Sequence, residues 1–278
     1  MGSDDFAGDK KASESKLIRE ADTFHMTNVF RQGNILIKET GPWAASVHSL
    51  LQHLESVGFN AAPKVVETGF DAQGREKLTF IPGEFIDPGP WSQEACYKIG
   101  VLLRELHQAT QSYSPPKDAM WQEWFGRHLG DPTVFGHCDF ASWNIVSRKG
   151  LPIALIDWEY AGPVDPLVEL AQACWLNAKL HDDIVAEIED LPSVAVRGEH
   201  LKAILDGYML STSQRVDFVT KIIEFVVHAT ANEANVAKLR IDTPLTQIDK
   251  QVPWALAWRA RAAAWLLANQ QTLQKAIN

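Results

Sequence analysis

Cysteine is scarce in this chain: Cys96, Cys138 and Cys174 are the only three in 278 residues, and no two stand at CxxC spacing. That excludes a disulfide framework and points to a reducing, cytoplasmic setting. Long hydrophobic runs are also lacking. None approaches the roughly 18 residues that a membrane span needs. Positive charge is in deficit, with 26 Lys and Arg against 35 Asp and Glu and a net charge of −9. This argues against a general nucleic-acid binder or an anionic-membrane surface protein, so neither partner is expected. The opening "MGSDDFAGDKKASESK" has no apolar h-region and does not read as a secretory signal. Phe6 stands where a myristoylation motif wants Ser or Thr, so that anchor is not expected. What remains is an ordinary globular composition, 46% hydrophobic and 22% charged, long enough for one large domain or two lobes. The oligomeric state is not legible.

Along the chain, strand signals come first. "NVFRQGNILIKE" is two apolar runs about a Gln-Gly-Asn turn, and "KVVETGFDAQGREKLTFI" is a second hairpin turning at Asp71 to Gly74. Between them, Val47, Leu50, Leu51 and Leu54 recur at helical spacing, with Pro42 near the start and Gly58 as a stop. "PGEFIDPGPW" is a Pro/Gly-rich connector. Beyond it the pattern is mainly helical: Ser92 caps a helix carrying Ile99, Leu102, Leu103 and Leu106 on one face, and long helical patterns cover 215–240 and 252–275. The expected division is a disordered tail over 1–17, a small β-rich lobe over 18–82 and a larger, mainly helical lobe over 83–278.

The most informative stretch is "GHCDFASWNIV", residues 136–146, followed by "ALIDWEY" with Asp157 thirteen positions after Asn144. Strands over 145–147 and 152–157, paired about Arg148 to Gly150, bring Asn144 back beside Asp157. A divalent cation carrying nucleotide phosphates wants one or two carboxylate or amide oxygens. A carboxylate beside it can take a proton from an attacking hydroxyl. Asp139, Asn144 and Asp157 supply that set, although Asp and Asn are also common as turn and cap residues.

"HCDFASWN" together with "IDWEYAGPVDPLVELA" resembles the aminoglycoside-phosphotransferase and choline-kinase superfamily over roughly residues 22–175. The resemblance implies an α+β, bilobal protein-kinase-like fold. Its small N-lobe binds nucleotide, and its helical C-lobe carries the catalytic loop and the acceptor site. The implied activity is transfer of the γ-phosphoryl group of ATP or GTP, with Mg2+, to a hydroxyl of a small molecule such as an aminoglycoside-like antibiotic, a sugar or an amino alcohol. Carried over residue by residue, Asp139 is the catalytic aspartate and His137 the histidine supporting its loop. Asn144 and Asp157 are the metal ligands, and Lys38 is the lysine on the nucleotide phosphates. Phe80, Ile81 and Gly83, in "FIPGE", lie where the hinge presents backbone to the base.

Three features depart from the family pattern. "TFHMTN" before Val29 has no glycine-rich loop, Cys138 stands in place of a glycine, and Val47 or His48 occupies the place of the helix glutamate that pairs with the lysine. Glu55 is too near the far end of that helix to substitute. These departures keep open an alternative, a catalytically weak nucleotide-binding pseudokinase or scaffold. Asp165 and Glu169 read as orienting and capping the following helix, and Glu159 and Trp158 as packing beside the site.

On the acceptor side, Leu176 to the C-terminus carries twelve Asp or Glu and eleven Lys or Arg, which is no acidic excess for a polycation. "HDDIVAEIED" reads as a solvated helix face. Trp254, Trp258 and Trp265 share helical spacing and read as core packing, with an aromatic wall for a methylammonium or sugar ring as the sharper option.

Overall fold

The computed structural model describes residues 16–19 and 28–278, and the chain divides into two compact units. The expected tail, apart from Lys16 and Leu17, and residues 23–27 of "TFHMTN" lie outside the described residues.

The first unit takes in the described residues up to Thr40 together with residues 65–80. Its strands are β1 (Lys16–Arg19), β2 (Val29–Gln32), β3 (Ile35–Lys38), β4 (Val65–Phe70) and β5 (Glu76–Thr79). They form an antiparallel sheet in the order β1-β2-β3-β5-β4. Gly33 turns the β2–β3 hairpin at φ +61°, a left-handed conformation that glycine adopts without a Cβ clash. The β4–β5 turn is held by Asp71, whose Oδ1 accepts from the Gln73 and Arg75 backbone N–H groups at 2.9 Å each. The sheet buries Val29, Ile37 and Leu78, and only β5 shows a clean alternation, with Glu76 and Leu78 inward.

The second unit comprises residues 41–64 and 81–278. It contains α1 (Ala44–Ser56), α2 (Gln93–Thr110), β6 (Val134–Gly136), β7 (Ile145–Arg148), β8 (Leu151–Leu155), β9 (Gly162–Val164), α3 (Pro166–Asn177), α4 (Asp183–Ile188), α5 (Val194–Tyr208), α6 (Thr212–Arg215), α7 (Phe218–Val236) and α8 (Val252–Ile277). Ser92 caps α2 by accepting from the Ala95 N–H, and Ile99, Leu103 and Leu106 are fully buried beside α5. Helix α3 is buried from Val168 to Asn177, as an apolar helix packed on several sides must be. It passes beneath the loop that carries residues 137–144, where Asn177 donates to the Phe140 carbonyl at 2.9 Å and Gln172 accepts from the Phe140 N–H at 3.2 Å.

Two hairpin-like pairs hold the loops of interest. β7 and β8 pair Ile145 with Leu155, and β6 pairs with β9, Gly136 opposite Gly162. The β6–β9 pair is not legible in the sequence, because three-residue strands are too short to show a period of two. No helix among the described residues is long and apolar enough to cross a membrane.

Candidate active site

His137 is fully buried. Its Nε2 donates to the Ile156 carbonyl at 2.8 Å, while Nδ1 accepts from the Asp139 backbone N–H at 3.3 Å. Both ring nitrogens are therefore used in opposite senses, which fixes a neutral tautomer. Burial pushes its pKa down despite nearby Glu169. The ring thus ties the Asp139 loop to the backbone just before Asp157, and it makes an edge contact with Trp158 at 4.8 Å between centroids.

Cys138 takes φ +63°, which explains why a glycine suits this position. A side chain there costs about 1–2 kcal/mol of backbone strain. The strain is held by Glu169, whose Oε1 accepts from the Cys138 N–H at 2.6 Å while Oε2 accepts from His107 Nε2 at 2.7 Å. Burial raises the Cys138 thiol well above its ordinary pKa, so it is no nucleophile at neutral pH. Glu169 therefore orients the loop, whereas Asp165 caps α3, accepting from the Leu167 N–H at 2.8 Å.

Asp139 is half-buried at the end of this turn. Asn144 Nδ2 donates to its carboxylate Oδ2 at 2.7 Å and to its carbonyl at 3.0 Å, and the nearby Trp143 side chain also favours the ionised carboxylate. Burial, and next the charge of Asp157, raise the Asp139 pKa to about 7 against the lowering effect of those bonds. Because the Asn144 amide nitrogen is committed to Asp139, its oxygen is the atom left to face a cation. The Ile156 N–H donates to the Asn144 carbonyl at 2.9 Å, so the β7–β8 pairing brings Asn144 beside the residue preceding Asp157. Asp157 itself lies two residues past β8 at φ 64° and ψ 63°, a left-handed turn that breaks the strand.

Arg127, Asp87 and Lys179 also hold this arrangement, and none belongs to a motif that sequence reasoning could find. Arg127 donates to the carbonyls of Gln122, Tyr160, Ala161 and Pro163, which fixes the segment after Asp157. Ser142 donates to Asp87 Oδ1 at 2.6 Å, and the same oxygen faces Lys179 Nζ at 3.2 Å. Lys179, 3% exposed, also meets Glu189 at 3.1 Å. The lysine and its two acids are 92 and 10 residues apart, so no local pattern announces them.

Gly83 lies in this unit as well. Glu84, next to it, exchanges backbone hydrogen bonds with Ser147 at 2.9 and 2.7 Å, and a Cβ on Gly83 would overlap Val146 and the Ser147 carbonyl. Ile81 opens the same segment. Lys38 and Phe80 belong to the sheet unit. Phe80 lies under the Arg31 guanidinium, 3.8 Å from its ring centroid, and its N–H donates to the Asn34 carbonyl at 2.7 Å. Lys38, 6% exposed, stands opposite Glu76 in the β3–β5 register, with Nζ 3.9 Å from the Glu76 carboxylate. Glu76 is 4% exposed, and sequence reasoning passed over it because it sits on a strand rather than a helix.

A cavity of about 280 Å³ opens beside Asp139. Its walls come from the loop over residues 137–144, α3, α7 and α8, and include Trp143, Tyr160, Trp175, Phe225 and Trp258. The three α8 tryptophans therefore separate. Trp265 is core, donating to Asp183 at 3.1 Å; Trp258 stacks on Trp175 at 5.1 Å and lines the cavity; Trp254 is exposed.

The sequence profile of the phosphotransferase enzyme family (APH) matches residues 109–199, which includes the whole of the Asp139 loop and Asp157. The chain is 53% identical over 252 residues to the trifolitoxin immunity protein of Rhizobium leguminosarum bv. trifolii, covering 90% of this chain and 95% of that protein. Among solved structures, a choline/ethanolamine kinase family protein from Mesorhizobium loti matches with a TM-score of 0.58 at 15% identity, over 97% of this chain and 94% of that one. The streptomycin-ATP-APH(2")-IIa ternary complex matches with a TM-score of 0.52 at 15% identity, over 86% and 94%. At such identities the two structures establish the fold. The chain belongs to one family with the trifolitoxin immunity protein, and within it residues 109–199 carry the phosphotransferase enzyme family (APH) profile.

Proposed function

We propose that this protein phosphorylates a hydroxyl of a toxin or antibiotic, using ATP or GTP, and thereby confers immunity to it. The observation that carries this is Asp139: a half-buried carboxylate at a cavity wall, held by the Asn144 amide at 2.7 Å. A carboxylate so placed can take the proton of a hydroxyl bound in the cavity.

Asp139 accepts the proton of the acceptor hydroxyl as its oxygen bonds to the γ-phosphorus. The bond from that phosphorus to the bridging oxygen of the nucleoside diphosphate breaks, and ADP or GDP leaves. The residues fit Mg2+, since Asn144 and Asp157 offer hard oxygen donors and the repulsion between Asp139 and Asp157 is what a cation would relieve. Mg2+ would supply charge neutralisation on the phosphates. Lys38, held opposite Glu76, would contact the α- and β-phosphates, and the Phe80, Ile81 and Gly83 segment would present backbone to the base. His137 keeps the Asp139 loop in place rather than moving a proton, since both its nitrogens are engaged.

The immunity arm rests on the name of the 53% identical relative. Expression in a trifolitoxin-sensitive strain, with and without Asp139→Asn, tests it. Protection by wild type and loss with the variant is the expected result. Equal protection by both would indicate sequestration by a catalytically weak binding protein instead of phosphorylation.

A further inference from the structure

Resting on the phosphotransfer proposed above, we infer that the cavity beside Asp139 selects an acceptor whose hydroxyl is carried on an uncharged, planar ring group, and that it rejects ammonium and polycationic acceptors.

The walls are the first argument. Seven of the sixteen lining residues are aromatic, so stacking and ring-edge contacts dominate what a ligand can gain there. The rings are not scattered. Trp258 stacks on Trp175 at 25° and 5.1 Å, Trp175 meets Phe225 at 6.3 Å, and Phe225 meets Phe125 at 5.2 Å. This continuous apolar wall approaches Asp139 through Trp143. At about 280 Å³ the cavity is at the lower limit of ordinary ligand sites, room for one ring-sized group and not for a whole multi-ring antibiotic.

Charge is the second argument. A polycation needs several converging carboxylates. The acids here are Asp139, which has the proton to take, and Glu123, whose side chain is 90% exposed and faces His128 at 3.6 Å. The cavity wall also carries a cation, Arg259. It is tethered to Glu233 at 3.2 Å and to the Ala255 carbonyl at 3.1 Å, with its guanidinium 5.0 Å from the Trp258 ring centroid. An aromatic wall can attract an ammonium group. At Trp258, however, that place is already held by Arg259, so an ammonium group would have to displace a guanidinium tethered to Glu233.

Isothermal titration of the nucleotide-free protein with 4-hydroxybenzyl alcohol, glucose, choline and kanamycin tests the inference without requiring turnover. 4-Hydroxybenzyl alcohol should bind about tenfold more tightly than any of the other three. Trp258→Ala should remove that preference and Trp258→Phe should largely restore it. Should the alanine variant fail to fold, Arg259→Gln carries the test, because choline affinity should rise several-fold. Tighter binding of choline or kanamycin, an unchanged preference in a folded Trp258→Ala protein, or no gain for choline in Arg259→Gln would overturn it. Phosphoryl transfer to the same compounds from Mg-ATP, read as ADP release together with phosphorylated product, separates the two levels. Selective binding of the aromatic alcohol with no phosphorylated product leaves the cavity assignment standing and removes phosphotransfer. Kanamycin phosphorylated ahead of the aromatic alcohol does the opposite.

Discussion

Lys38 and Glu76 face each other across the β3–β5 ladder, both nearly buried, with Nζ and the carboxylate 3.9 Å apart. In an antiparallel sheet directly opposed residues share a face, so the backbone register itself brings the pair together. We propose that this strand acid serves Lys38 in place of the helix acid absent from the sequence. Glu76→Gln is expected to raise the nucleotide KM several-fold and Lys38→Met to raise it by about tenfold or more, as loss of a charge-assisted contact does. The acceptor KM should move little in both. A Glu76→Gln protein with wild-type nucleotide KM would show that the strand acid has no part in phosphate binding.

The proposed metal assignment gives one cation to Asp157 and Asn144 together. Asp157→Ala should weaken Mg-nucleotide binding while leaving the circular dichroism spectrum unchanged. Superimposable Mg-ATP titrations of wild type and variant would contradict the metal assignment.

The Asp87–Lys179–Glu189 cluster supports the loop through Ser142. Lys179→Met should destabilise by about 2 kcal/mol, below the usual figure for breaking a buried pair, because both acids keep partial exposure. Urea denaturation would read this directly, and an unchanged midpoint would show that the acids are satisfied elsewhere.

Much of the site was legible because its chemistry is concentrated in one contiguous motif. "HCDFASWN" and Asp157 are short-range in sequence, and the β7–β8 hairpin that unites them has a strong turn and two apolar runs. Strands β2 to β5 and helices α1, α2, α7 and α8 were legible from periodicity and from Ser92, Gly33 and Asp71, whereas β1 was not, its Lys16 and Leu17 falling in the expected disordered tail. Glu76, Arg127 and Lys179 were not, since each acts on partners brought near only by tertiary folding. Trp258 and Trp265 share one helix and one spacing, yet one lines a cavity and the other is core. Which face is covered depends on α4, α5 and α7, and no pattern within α8 encodes that.

His181 predicts acid lability. It is buried, and burial with neighbouring Lys179 and Arg197 lowers its pKa from 6.5 to about 3. The unfolded chain therefore binds a proton that the folded one refuses. Stability from the neutral ring is present above pH 6.5 and is lost as pH falls toward 3, by up to about 1.4 kcal/mol per unit. About 2 kcal/mol should disappear between pH 7 and 5, and a large part of that slope should vanish in His181→Gln. An identical pH slope in the variant would contradict the assignment.

The central claim is that the Asp139 carboxylate takes the acceptor proton, and Asp139→Asn measured on one preparation for turnover, nucleotide affinity and melting temperature tests it most directly. Its pKa of about 7 is raised above the ordinary aspartate value, so ionising it costs the folded state stability as pH rises through that range. The variant should consequently melt no lower than wild type at pH 8, bind Mg-nucleotide nearly as well, and lose about 10²–10⁴-fold in kcat. Turnover within a few-fold of wild type, or a fall in turnover matched by a fall in melting temperature, would contradict it.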